Sequence, residues 1–196
     1  MRLEQKLLIF MVLSGSLLFN NRCLAKTNNG YSNKIKKYNN VVIVDQDIFN
    51  SINYYSKGPK RHFLLTTINT ETNFRRNLPI GKHGEIGLFQ IIPSTKKLIE
   101  KKTGYKINLS ELSQSVYSAN YLLEYIQNEV RDVCPQINMS SDYYIKLLAA
   151  SYNAGSKYLS KGCKIKKFPK STQKYVKKFM NNWNKTYIGR DYIKKK

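Results

Sequence analysis

The chain of 196 residues has few of the side chains that bind metals or redox cofactors. It contains three Cys, two His and one Trp, and its 12 Asp and Glu residues are outnumbered by 34 Lys and Arg residues, for a net charge of +22. His62 and His83 match no zinc-ligand spacing, and neither do the cysteines. The sequence therefore predicts no metal site and no cofactor.

Long hydrophobic runs are also scarce. The apolar run Leu7–Phe19 has 13 residues, too few to span a bilayer. It follows a basic start with Arg2 and Lys6, and Cys23 and Ala25 supply small residues at the −3 and −1 positions of a cleavage site. The pattern predicts a signal peptide over residues 1–25 and export to the periplasm. An uncleaved membrane anchor is the alternative.

The shortage of acidic residues persists after export. Removal of residues 1–25 leaves 31 basic and 11 acidic residues, a net charge of +20. Such a charge favours a polyanionic partner. For an exported chain this partner is the anionic cell wall or a membrane surface, and no nucleic acid is expected. The alternative is that lysine is abundant throughout, as an AT-rich genome would produce.

Export would leave two cysteines, Cys134 and Cys163, in an oxidising compartment. A disulfide between them would close a loop of about 30 residues and stabilise the fold by roughly 3 to 4 kcal/mol. Two buried free thiols are the alternative.

The remaining chain has the pattern of one helical domain. We expect a flexible leader over residues 26–40, the domain over residues 41–188 and a frayed basic tail over residues 189–196. Apolar residues recur at helical spacing in six segments. The predicted helices are Asp47–Tyr55, Arg61–Glu71, Pro93–Lys102, Glu111–Arg131, Asp142–Asn153 and Pro169–Trp183. No strand of convincing length is found, so the predicted fold class is mainly α, and the protein is expected to be a monomer.

Glu71 falls on the apolar side of its predicted helix. On a helical wheel it lies close to Leu64 and Ile68, with Phe63 and Phe74 flanking the stripe. A carboxyl group there loses water, its pKa rises, and it can donate a proton to a leaving group, as the general acid does in glycoside cleavage. The alternatives are a buried Glu paired with Lys or Arg, or a helix turned so that Glu71 faces solvent.

Several motifs follow in order after Glu71. They are Glu71-Thr72-Asn73-Phe74, Gly84-Glu85-Ile86-Gly87-Leu88-Phe89-Gln90, Ser118-Ala119-Asn120-Tyr121-Leu122, Ser151-Tyr152-Asn153-Ala154-Gly155 and, more weakly, Thr172-Gln173-Lys174-Tyr175-Val176. With these motifs, the chain from about Ile48 to Phe179 resembles the catalytic domain of lytic transglycosylases of the soluble murein transglycosylase type, in the lysozyme-like superfamily.

The resemblance implies a lysozyme-like helical domain whose active-site groove binds the glycan strands of peptidoglycan. Glu71 would be the single catalytic carboxylate, first as acid and then as base, and the muramic acid C6 hydroxyl would close a 1,6-anhydro ring in place of water. An internal nucleophile removes the need for the second carboxylate of ordinary glycosidases. Small single domains of this type also resemble proteins that open the wall for a cell-envelope secretion or assembly apparatus, which is therefore a candidate partner.

The resemblance also assigns substrate-binding residues. Gln90 and the Phe89 backbone would border the sugar site, Tyr152 and Asn153 would contact sugar or orient Glu71, and Tyr175 would close the groove. Thr72 replaces the family's Ser and keeps its hydroxyl. As alternatives, the two tyrosines could be core aromatics, and Asn153 could serve the helix C-terminal turn before Gly155.

Glu85 is the main departure from the family pattern, because it replaces an Ala beside the active-site loop. It could supply a second carboxylate, which would favour a hydrolytic lysozyme (muramidase) of the same fold. A third possibility is a non-catalytic protein that uses the groove and the positive charge to hold the cell wall.

Overall fold

The structure is a computed structural model, and it describes residues 40–194. The predicted signal peptide and nearly all of the predicted leader lie outside these residues. In chain order the elements are β1 (Val41–Val44), α1 (Gln46–Tyr55), α2 (Gly58–Glu71), α3 (Pro93–Thr103), α4 (Leu112–Val133), α5 (Asp142–Ala154), two 3₁₀ helices (Ser156–Lys161 and Ile165–Lys167), α6 (Lys170–Trp183), β2 (Thr186–Gly189) and α7 (Arg190–Lys194). The predicted mainly helical fold is confirmed. None of the helices in the described part is long and apolar enough to cross a membrane.

Helix α2 lies at the centre, with α1, α4 and α6 packed around it. Its residues 63–70 are all buried. The amphipathic stripe inferred from the helical wheel is therefore wrong, because this helix has no solvated side over its last two turns. Thr66, Thr67 and Thr70 can be buried because each hydroxyl donates to the backbone carbonyl four residues earlier, at 2.8 to 2.9 Å.

The remaining long helices begin and end within about two residues of their predicted bounds. Ser141 is the N-cap of α5, and its side chain accepts a hydrogen bond from the Tyr144 N–H at 3.2 Å. Helix α3 ends at Thr103 and is capped by Gly104, which has a left-handed backbone. Helices α5 and α6 pack against each other, so the motif that ends α5 lies beside the last long helix.

Neither strand was predicted from the sequence, and the described part of the predicted tail includes a short helix. Strand β1 pairs in parallel with β2, with Val41 opposite Thr186, and α7 follows directly. Tyr187 of β2 is buried, accepts a hydrogen bond from Asn69 (3.1 Å) and donates one to Asn182 (2.9 Å). A four-residue strand carries too little alternation to be recognised, and its partner lies far away in the sequence.

Cys134 and Cys163 form a disulfide with 6.0 Å between their Cα atoms. Cys134 is the C-cap of α4, and Cys163 follows the first 3₁₀ helix. Of the two alternatives left by the sequence, the structure has the bridge rather than the free thiols. It joins the carboxyl end of α4 to the segment that leads into α6.

Reduction of this disulfide is expected to lower the melting temperature, because a closed loop of this length restricts the unfolded chain by roughly 3 kcal/mol. The measurement is thermal unfolding followed by circular dichroism with and without reductant. The matched control is the Cys134→Ser/Cys163→Ser variant, whose melting curve should not respond to reductant. Identical melting of the unaltered protein in both buffers would refute the prediction.

Candidate active site

Glu71 is the last residue of α2 and is half-buried. Burial raises the pKa of its carboxyl group from 4.5 to about 7. The nearby Tyr175 hydroxyl and the Lys178 ammonium lower this pKa, and the negative charge of Glu85 raises it slightly. Desolvation prevails over these charges, so Glu71 carries a proton for a large fraction of the time near neutral pH.

Tyr175 and Tyr152 place aromatic rings beside this carboxyl group from α6 and α5. Burial raises the pKa of both phenols well above 10, and the Glu71 charge adds to this effect. The Tyr175 hydroxyl is buried and has no hydrogen-bond partner of standard geometry among the described residues, although it lies close enough to Glu71 to affect its pKa. It can therefore donate to the carboxylate once Glu71 loses its proton.

Lys178 lies beside Glu71 and was not among the residues predicted from the sequence. Its ammonium group donates a hydrogen bond to the Thr70 carbonyl at the carboxyl end of α2. A cation there offsets the negative end of the helix dipole and lies within electrostatic reach of Glu71. The one available signal was its position three residues after Tyr175, which puts both on one side of α6, but many lysines in this segment share that kind of spacing.

The glycine-rich motif after Glu71 forms a tight hairpin. Ile86 and Ile91 bridge as an antiparallel pair, with both N–H···O distances at 3.1 Å. Gly87 in the turn has φ +73°, and a Cβ there would lie 2.4 Å from the Leu109 carbonyl oxygen. A side chain at this position would force the hairpin away from its neighbour, so only glycine fits.

Three of the predicted binding residues instead hold this hairpin beside Glu71. Thr72 is 1% exposed, and its hydroxyl donates to the Ile68 carbonyl at 3.0 Å, with the Leu88 carbonyl as a second acceptor at 3.3 Å. Phe89 is 0% exposed, and its carbonyl accepts the Tyr152 hydroxyl at 2.8 Å. Thr72 and Phe89 thus present no free surface to a sugar, and the Tyr152 hydroxyl is hydrogen-bonded to the hairpin.

Besides Tyr175, which is described above, Gln90 and Asn153 complete the set of predicted binding residues. Gln90 is half-buried with φ +49°, and its side-chain amide donates to the Gly87 carbonyl at 2.9 Å. Asn153 lies exposed in the last turn of α5, next to Tyr152. Of the predicted set, Asn153 is the most accessible to a ligand.

Glu85 faces its own loop. Its carboxylate accepts the His83 N–H at 2.8 Å, and its carbonyl accepts the Gly81 N–H at 2.9 Å. Hydrogen bonds from the backbone N–H groups of Glu85 and His83 lower the pKa of this carboxyl group. The site therefore combines Glu71, whose pKa is raised, with Glu85, whose pKa is lowered, and such a separation is common where one group acts as a proton donor.

The geometry supports proton transfer to and from one carboxyl group. Within the described residues, no group of three or more His, Cys, Asp or Glu side chains is arranged to hold a metal ion. A family model described as "Transglycosylase SLT domain" matches residues 51–186, which include every element from α2 to α6. No curated protein and no solved structure shows a significant match.

The Glu71 pKa should rise above about 7 in a Lys178→Met variant, because the substitution removes a nearby cation and keeps the alkyl chain. An NMR titration of the Glu71 side-chain carboxyl carbon measures the shift. Lys177→Met is the matched control on the same helix and should leave the titration unchanged. Equal titration midpoints for the unaltered protein and Lys178→Met would exclude this role of Lys178.

Proposed function

The chain belongs to the SLT transglycosylase family, and from that premise we propose that it is a periplasmic peptidoglycan lytic transglycosylase. It cleaves the β-1,4 bond between N-acetylmuramic acid and N-acetylglucosamine and leaves 1,6-anhydro ends. The observation that carries the proposal is the half-buried Glu71, whose pKa of about 7 allows the same group to give and to take a proton near neutral pH.

In the proposed reaction, protonated Glu71 gives its proton to the glycosidic oxygen as the bond from that oxygen to muramic acid C1 breaks. The C6 hydroxyl oxygen of the same sugar then attacks C1, and Glu71 takes the hydroxyl proton. The ring closes, no water is consumed and Glu71 ends protonated. Tyr175 and Lys178 favour the carboxylate that exists between the two transfers, because both lower the Glu71 pKa.

Two features support export. The segment over residues 1–25 has the pattern of a signal peptide, and the Cys134–Cys163 disulfide is a feature typical of oxidising compartments. Both fit a protein that meets the cell wall outside the cytoplasm.

Hydrolysis by the same fold is the second candidate, and Glu85 is the observation that favours it. The charge of Glu85 acts on Glu71, and hydrogen bonds keep Glu85 ionised, so it could position a water molecule as a base does in inverting glycosidases. Against this, its carboxylate already accepts the His83 N–H. We therefore favour the transglycosylase, in which Glu85 stabilises the loop.

Glycan cleavage should fall by at least about 100-fold in Glu71→Gln, because the amide keeps the shape and cannot deliver a proton. The activity of the unaltered enzyme, expressed as kcat/KM, should fall as the pH rises through about 7, because the free enzyme must hold the proton. Digested peptidoglycan is analysed by mass spectrometry for anhydro and reducing ends.

Glu85→Gln is the matched control for this experiment. It should retain most activity and the anhydro products. Reducing ends from the unaltered enzyme, together with loss of activity in Glu85→Gln, would establish the hydrolase instead. Near-normal release of anhydro products by Glu71→Gln would refute the assignment of Glu71.

Glu71→Gln should also stabilise the fold, and the gain should depend on pH. Because the pKa of Glu71 is raised in the folded state, deprotonation destabilises the fold as the pH rises from about 4.5 to about 7. The variant should therefore melt at the same temperature as the unaltered protein below pH 4.5 and higher at pH 7 and above. The difference in unfolding free energy is at most about 3 kcal/mol. A pH-independent difference would contradict the burial of an ionisable Glu71.

A further inference from the structure

Positive charge is distributed unevenly over the described chain. Residues 40–142 contain 12 Lys or Arg and 10 Asp or Glu, so their charges nearly cancel. Residues 143–190 contain 12 Lys or Arg and no Asp or Glu. A general abundance of lysine does not explain this contrast, because both parts are rich in basic residues and only the second lacks acids.

The acid-free segment forms one continuous part of the fold. It comprises nearly all of α5, the two 3₁₀ helices, α6 and β2. The helices among these elements pack on one another. Nine lysines within it are exposed, and we name them the basic face. They are Lys157, Lys161, Lys164, Lys166, Lys167, Lys170, Lys174, Lys177 and Lys178.

The basic face reaches the candidate active site. Lys170, Lys174 and Lys177 recur at helical spacing and form a stripe along α6. Lys178 continues the stripe and contacts the end of α2 beside Glu71. The positive stripe therefore ends at the carboxyl group that carries the proposed chemistry.

Apart from Lys178, which lies beside Glu71, the lysines of the basic face have no ion-pair partner among residues 40–194. The ion pairs in the described residues involve Lys60, Arg76, Lys96 and Arg190, none of which belongs to the basic face. Lys157 and Lys161 instead place their ammonium groups 5.3 and 5.1 Å from the ring centre of Tyr158. Clustered unpaired cations attract anions.

We propose that the basic face binds the carboxylates of the stem peptides on the peptidoglycan strand that is being cleaved. This inference rests on the proposed function and adds that the preferred substrate is wall that still carries its peptides. Stem-peptide carboxylates are ionised at neutral pH. A glycan cleaved at Glu71 would pass beside Lys178, so its stem peptides would come within reach of the stripe that ends there.

A lipid surface and a nucleic acid fit the basic face less well. Proteins that lie on membranes insert large apolar side chains among their lysines, and single-stranded nucleic acids stack on exposed aromatic rings. Neither kind of exposed side chain occurs within the described segment 157–178. Flexible carboxylates need only exposed cations.

The test compares a Lys170→Gln/Lys174→Gln/Lys177→Gln variant with a control, Lys101→Gln/Lys102→Gln/Lys106→Gln, which removes three exposed lysines outside the basic face. Each enzyme is assayed on peptide-bearing peptidoglycan and on the same material after an amidase has removed the stems. The first variant should raise KM about tenfold on peptide-bearing wall only, since three exposed charge contacts are lost. Its KM should also respond less to salt. The control should behave like the unaltered enzyme on both substrates.

Equal changes on both substrates, or no change on either, would overturn the proposal. The proposal would also be overturned if the first variant lost only its binding to vesicles made of equal parts phosphatidylcholine and phosphatidylglycerol. That result would mean that the basic face binds a membrane. Sedimentation of the Glu71→Gln protein with both wall preparations separates this proposal from the proposed function. If no form of the protein cleaves glycan, the proposed function fails, and a preference of the basic face for peptide-bearing wall still appears in sedimentation.

Discussion

The burial of residues 63–70 of α2 on all sides is the constraint on which the candidate site depends. A helix without a solvated face can carry polar residues only if each one is satisfied internally, and Thr66, Thr67 and Thr70 achieve this by donating to the preceding turn. Glu71 comes directly after them, where the helix ends and the surface begins. Its carboxyl group is thus held by a rigid element yet is still accessible, and the same burial that supports the fold raises its pKa.

Helix α6 limits how far burial raises the Glu71 pKa. Burial alone would keep Glu71 protonated and make it a poor base, whereas a fully solvated Glu would be a poor acid. Tyr175 and Lys178 bring the pKa down, and both belong to α6. The packing of α6 on α2 therefore contributes to the core and also sets the Glu71 pKa. Substitutions in the buried face of α6 should change both the stability of the fold and this pKa.

The sequence predicted the long helices because they depend on local patterns, and it also predicted that Glu71 is shielded from water. The structure corrects the reason given for Glu71: its burial follows from the central position of α2 rather than from an amphipathic stripe. Thr72 and Phe89 were placed at the substrate by resemblance, but their contacts lie inside the protein. The strand pair and the position of Lys178 depend on neighbours more than 100 residues away along the chain. The spacing of residues in the sequence does not reveal contacts between such distant segments.

The basic face and Glu71 interact electrostatically through Lys178. Lys178 ends the stripe on α6 and lowers the Glu71 pKa, so the proton affinity of Glu71 depends on how much positive charge stands beside it. If the basic face binds stem-peptide carboxylates as proposed, the bound anions offset part of that field. The Glu71 pKa then moves upward in the complex, toward the protonated form with which the proposed reaction begins. Peptide-bearing substrate would in this way favour the acid that cleaves it, whereas a bare glycan would leave the lysines unopposed.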